Sequence, residues 1–419
     1  MKKFIIVCLS NQFYDSPLKT NKHLVMDILA KRGFKVIFVD PPTRFKFFMK
    51  ILKNKRINLI DKKKKNFYVY TPVNLFNFYP FSWLSNIFHI LIIRRLIRNF
   101  KFQISNFKLF LWVYHFDFPR IWDIDKYLKP DIFIYDVVDD YASFPEYSKR
   151  DLVNKGVVKV FQVFDRYLKE LIDQRGKKGI AWVNYRETQL ASRADIMFAS
   201  HPLLFEKFEK LSKNIYYTPN AGDFELYSKN LAIKPIELLE IQEPLVGYSG
   251  ALDAYKFDVD LLIYTAKKTP EISYILIGPM QLSDSDVTVQ ELKKLKNVHL
   301  LGVKSSAETA ALTHFFDSYI IPYQVNDYTY NGCFPVKFFN SLAAGIPVVV
   351  TDLPAYKGFE KVLYLAKNKE DFVRMVRKSV KDKDLNKRKE RIFVASQNTW
   401  EHKVNKQLKA IEDYFRRSN

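Results

Sequence analysis

The chain has 419 residues, 48% of them hydrophobic and 16% aromatic, which is enough for two packed cores and excludes a disordered polymer. Its net charge of +22 calls for anionic partners, but no helix-turn-helix, zinc-finger or RRM signature accompanies it, so nucleic acid ranks last among them. Two cysteines, Cys8 and Cys333, are too few for a disulfide framework or a thiolate metal site, and a reducing cytoplasm is the simplest compartment.

The opening MKKFIIVCLSNQFYD imitates a signal peptide, but its apolar run is short and lacks a small-residue cleavage site, so it reads as a first strand, 3–9. A helix around 20–33 follows, with Leu24, Met26, Ile28 and Leu29 as apolar residues and a stop at Gly33, and then a strand at 35–40. Charge is concentrated here: residues 1–120 carry 23 Lys and Arg against 5 Asp and Glu, leaving +18. The segment 44–65 mixes ten basic residues with Phe45, Phe47 and Phe48, a composition suited to an anionic membrane surface. No stretch reaches the roughly twenty uninterrupted apolar residues that span a bilayer. The closest, Ile87 to Ile97, is broken by His89, Arg94 and Arg95.

Further strands are predicted at 66–71, 108–114, 131–137, 195–200 and 215–220, each short and apolar as strands buried on both faces are. A polar stretch with two prolines, 221–244, reads as an interdomain linker. A second series of strands then runs through 245–250, 273–278, 297–302, 318–323, 347–351 and 362–366, and one long charged helix is expected over 384–417. Alternating strands and helices in both halves predict an α/β fold of two parallel, doubly wound sheets. The expected division is 1–220, 221–244, 245–383 and 384–419.

Open α/β sheets bind ligands at the C-terminal ends of their strands, and that rule selects the candidate residues. In the first half these are Asn11, Asp15 and Lys19, with Ser10 and His23, in the loop after the first strand, where they could receive a hydroxyl-bearing ligand. His115, with Asp117 beside it, and Asp136, Asp139 and Asp140 follow the fourth and fifth strands. The carboxylates suit a base, ligands for a hydroxyl or helix caps, and the histidine suits either proton transfer or a hydrogen-bonded rim position. In the second half Gly250 ends a strand, and a loop, Asn326 to Phe334, leads into a helix opening at Pro335 and Val336. Free N–H groups there, with Lys337 in the first turn, suit a phosphate. The motifs HExxH, CxxC, P-loop and G-x-S-x-G are absent, and the DxD triplets at 123–125, 258–260 and 284–286 do not follow a strand that would place them over a diphosphate. Neither a metal nor a cofactor is expected.

PVKFFNSLAAGIPVVVTD resembles the donor-sugar segment of glycosyltransferases with two facing Rossmann-like domains, the GT-B fold. Pro335, Lys337, Ala343, Gly345, Pro347, Val348 and Val349 fit that pattern. Asn340 and Gly332 stand where the family carries Glu. VGYSGALDAYK is similar to the family's V-G-R-L-x-x-x-K-G stretch, with Gly250 and Lys256 matching and Ala251 in place of an Arg. The resemblance is nearest to cytoplasmic bacterial enzymes of cell-envelope polysaccharides such as teichuronic acid. It implies a C-terminal helix that crosses back onto the first domain. It also implies retaining transfer from a nucleotide-diphosphate sugar to a glycan or lipid-linked acceptor. Phe334, Pro335, Val336, Lys337, Asn340, Gly250 and Lys256 would hold the donor, and His115, Asp139 and Asp140 would serve catalysis. The enzyme would lie peripherally on the inner membrane face. The alternatives are a related protein that binds nucleotide sugars without catalysis, or an epimerase.

Overall fold

The computed structural model describes residues 3–16, 19–44, 59–74, 82–101, 107–116, 118, 121–144, 180–229, 233–282 and 287–418. The chain forms two compact units, one of residues 1–218 with 404–419 and one of residues 219–403.

The first unit is built on strands β1 (Lys3–Leu9), β2 (Lys35–Val39), β3 (Ile60–Lys64), β4 (Phe67–Tyr70), β5 (Phe107–Val113), β6 (Ile132–Val137), β7 (Ile196–Ala199) and β8 (Ile215–Tyr217). Their order in the sheet is β8-β7-β6-β5-β1-β2-β4-β3. All neighbours are parallel except β3 and β4, which form an antiparallel edge. The central strands are apolar throughout because helices cover both faces: Ile5 to Leu9 and Phe110 to Val113 are fully buried. Helices α1 (Asn21–Lys31), α2 (Ser82–Lys101), α3 (Ile121–Leu128), α4 (Ile180–Arg193) and α5 (Pro202–Phe208) connect them. Strand order reverses between β1 and β5, so the loops after these strands diverge and leave a crevice.

The second unit carries β9 (Leu245–Ser249), β10 (Ser273–Ile277), β11 (Val298–Gly302), β12 (Ser318–Ile321), β13 (Val348–Thr351) and β14 (Tyr364–Ala366), in the order β11-β10-β9-β12-β13-β14, all parallel. Its helices of five residues or more are α6 (Val259–Lys268), α7 (Val287–Lys294), α8 (Ser306–Thr313), α9 (Asp327–Asn331), α10 (Val336–Ala343), α11 (Lys369–Ser379) and α12 (Leu385–Gln397). Here the reversal falls between β9 and β12. Those strands pair at Val246–Ser318 and Gly247–Tyr319. Beyond that the Ser249 N–H donates to the Tyr319 hydroxyl at 2.7 Å instead of to a facing carbonyl, so a side chain fills the opening between the strands.

Two expectations are corrected. The polar run IDKKK is a strand, β3, because pairing with β4 needs only alternate inward residues and its exposed lysines blunt a sheet edge. The single helix over 384–417 is two, α12 and α13 (Trp400–Ser418), since Asn398 and Thr399 leave helical geometry to bond and bridge Gly222. The first unit takes this segment only from Val404 onward. Among the described residues no helix is long and apolar enough to cross a membrane.

Candidate functional site

In the first unit the crevice between β1 and β5 holds a buried lysine that the sequence reading did not single out. Lys22 opens α1, is 3% exposed, and donates to Asn11 Oδ1 at 2.5 Å. Burial lowers its pKa to about 8, while Asp139, Cys8 and Asp136 pull it back up. Asp139 is half-buried beside this cation. His115 is buried against Phe116 and Tyr141, with ring centroids at 4.4 and 4.5 Å. Burial, and secondarily Lys22, pushes its pKa down to about 3, so the ring stays neutral and suits hydrogen bonding better than proton abstraction. Asp117 lies outside the described residues.

The remaining first-unit candidates separate from this cluster. Asp140 accepts from Ser143 Oγ and from Lys207 Nζ at 3.1 Å, and Lys207 also reaches the fully buried Glu187 at 2.9 Å. That carboxylate is locked into an internal ion triad. Asp136, fully buried, accepts from Trp112 Nε1 and Gln407 Nε2. Asp15 pairs with Lys63 at 2.9 Å, and Lys19 donates to the Tyr14 carbonyl with its ammonium 4.1 Å from the Tyr14 ring centre. His23 bridges the Thr20 N–H and the Phe13 carbonyl as part of the α1 cap.

The second unit brings the donor-side candidates together. Gly250 follows β9 with φ +142°, and a Cβ there would lie 2.3 Å from Lys337 Nζ. Only a residue without a side chain lets the ammonium approach the backbone this closely. Behind it, a Cβ on Gly278 would meet the Gly250 carbonyl oxygen at 2.0 Å, so Gly278 is dictated by contact with rigid backbone and Gly250 by its positive φ. Lys337, in the first turn of α10, is half-buried and turns its ammonium onto aromatic faces. Its Nζ sits 3.9 Å from the Tyr248 ring centre and 5.2 Å from that of Tyr323. Burial, with Lys256 adding repulsion, lowers its pKa to about 7. Asp253, an acid within electrostatic reach, pairs instead with Lys256 at 3.4 Å.

Local folding explains how these groups converge. The Asp253 carboxylate, 2% exposed, accepts the N–H groups of Tyr255 and Lys256, turning the loop after β9. The loop after β12 is stitched to it by Gln324 N–H to the Lys256 carbonyl at 2.8 Å and by Asn326 Nδ2 to the Tyr255 carbonyl at 2.6 Å. Pro335 is the N-cap of α10, one residue earlier than the expected first helical position. The first-turn N–H groups of Val336 and Lys337 have no carbonyl one turn back to bind. Phe334 is buried in a ring cluster with Phe338, Phe339 and Phe359. Asn340 accepts from the Asp223 N–H at 2.9 Å, which ties α10 to the N-cap of the short helix Phe224–Tyr227.

Two hollows lie on the β10–β11 side of the second sheet. One, along edge strand β11, is lined by Ile236, Leu239, Glu237 and Glu240, whose acids have the wrong sign for a diphosphate. The other borders the glycine contact and is lined by Leu252, Gly278, Pro279, Met280, Gly302 and Val303, with Lys293 at its rim. Apolar side chains and bare backbone there suit a flat ring.

Compared with solved structures, the chain aligns along 99% of its length with 99% of sucrose-phosphate synthase from Thermosynechococcus elongatus, at TM-score 0.65 and 14% identity. It also aligns over 98% of its length with 99% of Anabaena HepE in complex with UDP-glucose, at TM-score 0.61 and 14% identity. The fold is GT-B. In sequence, 180 residues, 42% of the chain, are 29% identical to TuaH of Bacillus subtilis (strain 168), a glycosyltransferase whose assignment to teichuronic acid biosynthesis is itself provisional. The matched segment spans 45% of that relative's length. No family model matches the chain.

Proposed function

We propose that the chain transfers a sugar from a nucleotide diphosphate to a hydroxyl of a cell-envelope glycan or lipid-linked acceptor, with retention. The observation that carries this reading is the contact of Lys337 with Gly250 at the reversal of the second sheet. A desolvated ammonium without a carboxylate of its own is costly to keep charged, and a diphosphate restores its charge. The same cation, Lys256 and the first-turn N–H groups of α10 then meet the charge that develops on the leaving diphosphate, a duty that needs no metal. The nucleoside would take the hollow between Gly278 and Val303. The likeness to HepE, solved with UDP-glucose, and to TuaH supports this donor class and a cell-envelope acceptor. Acceptor binding falls to the first unit, where Asn11, Lys22 and Asp139 present a hydroxyl-sized set of donors and acceptors and neutral His115 lines the same crevice.

The test is release of nucleotide diphosphate from a panel of nucleotide sugars by the purified chain, with and without bacterial membrane extract. Acceptor-dependent release from one donor is expected. Nucleotide binding without release from any donor would leave a binding protein, and conversion of the sugar without acceptor would indicate an epimerase.

A further inference from the structure

The exposed face of α2 is not the polar face that a helix on an α/β sheet normally turns to water. Ile90, Ile93, Leu96, Ile97 and Phe100 are buried, as a helix packed on the sheet requires. Ile87, Phe88 and Leu91 lie on the opposite side and are 41%, 53% and 48% exposed. One turn further on, the same stripe continues as Arg94, Arg95 and Arg98, all exposed. The helix SWLSNIFHILIIRRLIRNFK contains no acid.

The neighbouring α3 extends the patch. Arg94 donates to the Tyr127 carbonyl, which sets Tyr127, 45% exposed, beside the arginine row together with exposed Lys126 and Lys129. The acids of α3 turn away from it: Asp123 accepts from Asn86 at 3.2 Å, and Asp125 is held by Arg193 at 2.7 and 2.8 Å. What remains outward is apolar, aromatic and of one charge sign.

We infer that this face of α2, with the end of α3, is a docking surface for an anionic lipid bilayer, Ile87, Phe88 and Leu91 entering the interface while Arg95 and Arg98 meet the headgroups. A polyanion such as nucleic acid would use the arginines but gains nothing from three exposed aliphatic and aromatic side chains, whereas a bilayer uses both. The surface differs from the basic segment 44–65, of which residues 45–58 lie outside the described residues.

The test is sedimentation of the full chain with vesicles of phosphatidylglycerol and phosphatidylcholine, against phosphatidylcholine alone, with no nucleotide or acceptor present, so that the result is independent of sugar transfer. Wild type should sediment with the anionic vesicles only. At about fivefold per basic residue, R95Q/R98Q should bind roughly thirty-fold more weakly. I87S/F88S/L91S should lose binding while keeping the wild-type circular dichroism and a single cooperative melting transition, because about half of each side chain is exposed. Since Cys8 and Cys333 are buried, a thiol-reactive polarity probe on a Leu91→Cys variant reports that position alone. Its emission should shift to the blue on anionic vesicles, and the same probe on Ile233→Cys should not shift. Failure of wild type to bind, equal binding to neutral vesicles, variants that bind like wild type, or a probe at position 91 that stays in water would each overturn the proposal.

Discussion

Lys337 is the residue on which the proposed donor site turns, and its environment makes its charge depend on pH. With a pKa of about 7 in the unliganded chain, it is largely charged at pH 6 and largely neutral at pH 8. Only the charged form attracts a diphosphate, so binding above pH 7 must take up a proton. The last ionisation of UDP has a pKa of about 6, so it is about nine-tenths complete at pH 7 and its charge changes little from there to pH 9. The affinity for UDP should therefore fall by up to about tenfold per unit as pH rises from 7 to 9. Calorimetry in buffers of different ionisation enthalpy should detect the proton taken up. An affinity flat from pH 7 to 9 would mean that Lys337 keeps its charge or does not touch the nucleotide. Gly250 and Lys337 were legible in the sequence because strand ends and a helix N-terminus are local features. Lys22 and Asp253 were not. Each is buried by residues distant in sequence, and a lone Lys in NKHLV or a lone Asp in GALDAY carries no mark of that burial. Asn340 shows the converse, since it stands at a position that the resemblance assigns to the donor while its bond to the Asp223 N–H exists only in the folded chain.

At the level of elements, α10, the helix of the proposed donor site, is backed by α12, and a buried arginine on α12 reaches the end of α10. Arg391 on α12 donates to Asp382, both side chains being under 5% exposed, and also reaches the Gly345 carbonyl at the end of α10. Tyr364 completes the group by donating to Asp382 at 2.7 Å. Replacing Arg391 by Leu leaves a buried carboxylate short of its cation and should cost about 3 to 5 kcal/mol, read as a lower denaturant midpoint with the m-value unchanged. A loss below about 1 kcal/mol would mean that water reaches Asp382 and the pair is not structural. The buried parallel strands were readable because both faces are covered and their sequences run apolar without alternation. The edge strand β3 was hidden by its lysines, and the break between α12 and α13 by a charge pattern that continues through Asn398 and Thr399. Local composition does not register a hydrogen bond to Gly222.

Taken as a whole, the molecule consists of two doubly wound units whose alternating elements were visible in sequence. The strand orders were not visible, because which strand sits beside which is set by crossover connections and not by composition. Those orders place the candidate residues: β9 beside β12 brings Gly250 to Lys337, and β1 beside β5 brings Asn11 and Lys22 to His115. The central claim is that the second unit holds a nucleoside diphosphate through side-chain cations. The most direct measurement is calorimetric titration of UDP, GDP and ADP into the full chain at pH 6.5 in EDTA, with wild type and Lys337→Met side by side. At least one nucleotide should bind wild type without added metal. The Met variant, which keeps the aliphatic stem and removes the charge, should bind it at least about tenfold more weakly, the effect of losing one charge-assisted contact of about 1.5 kcal/mol or more. Binding that appears only when magnesium or manganese is restored, or equal affinity in both proteins, would contradict the account.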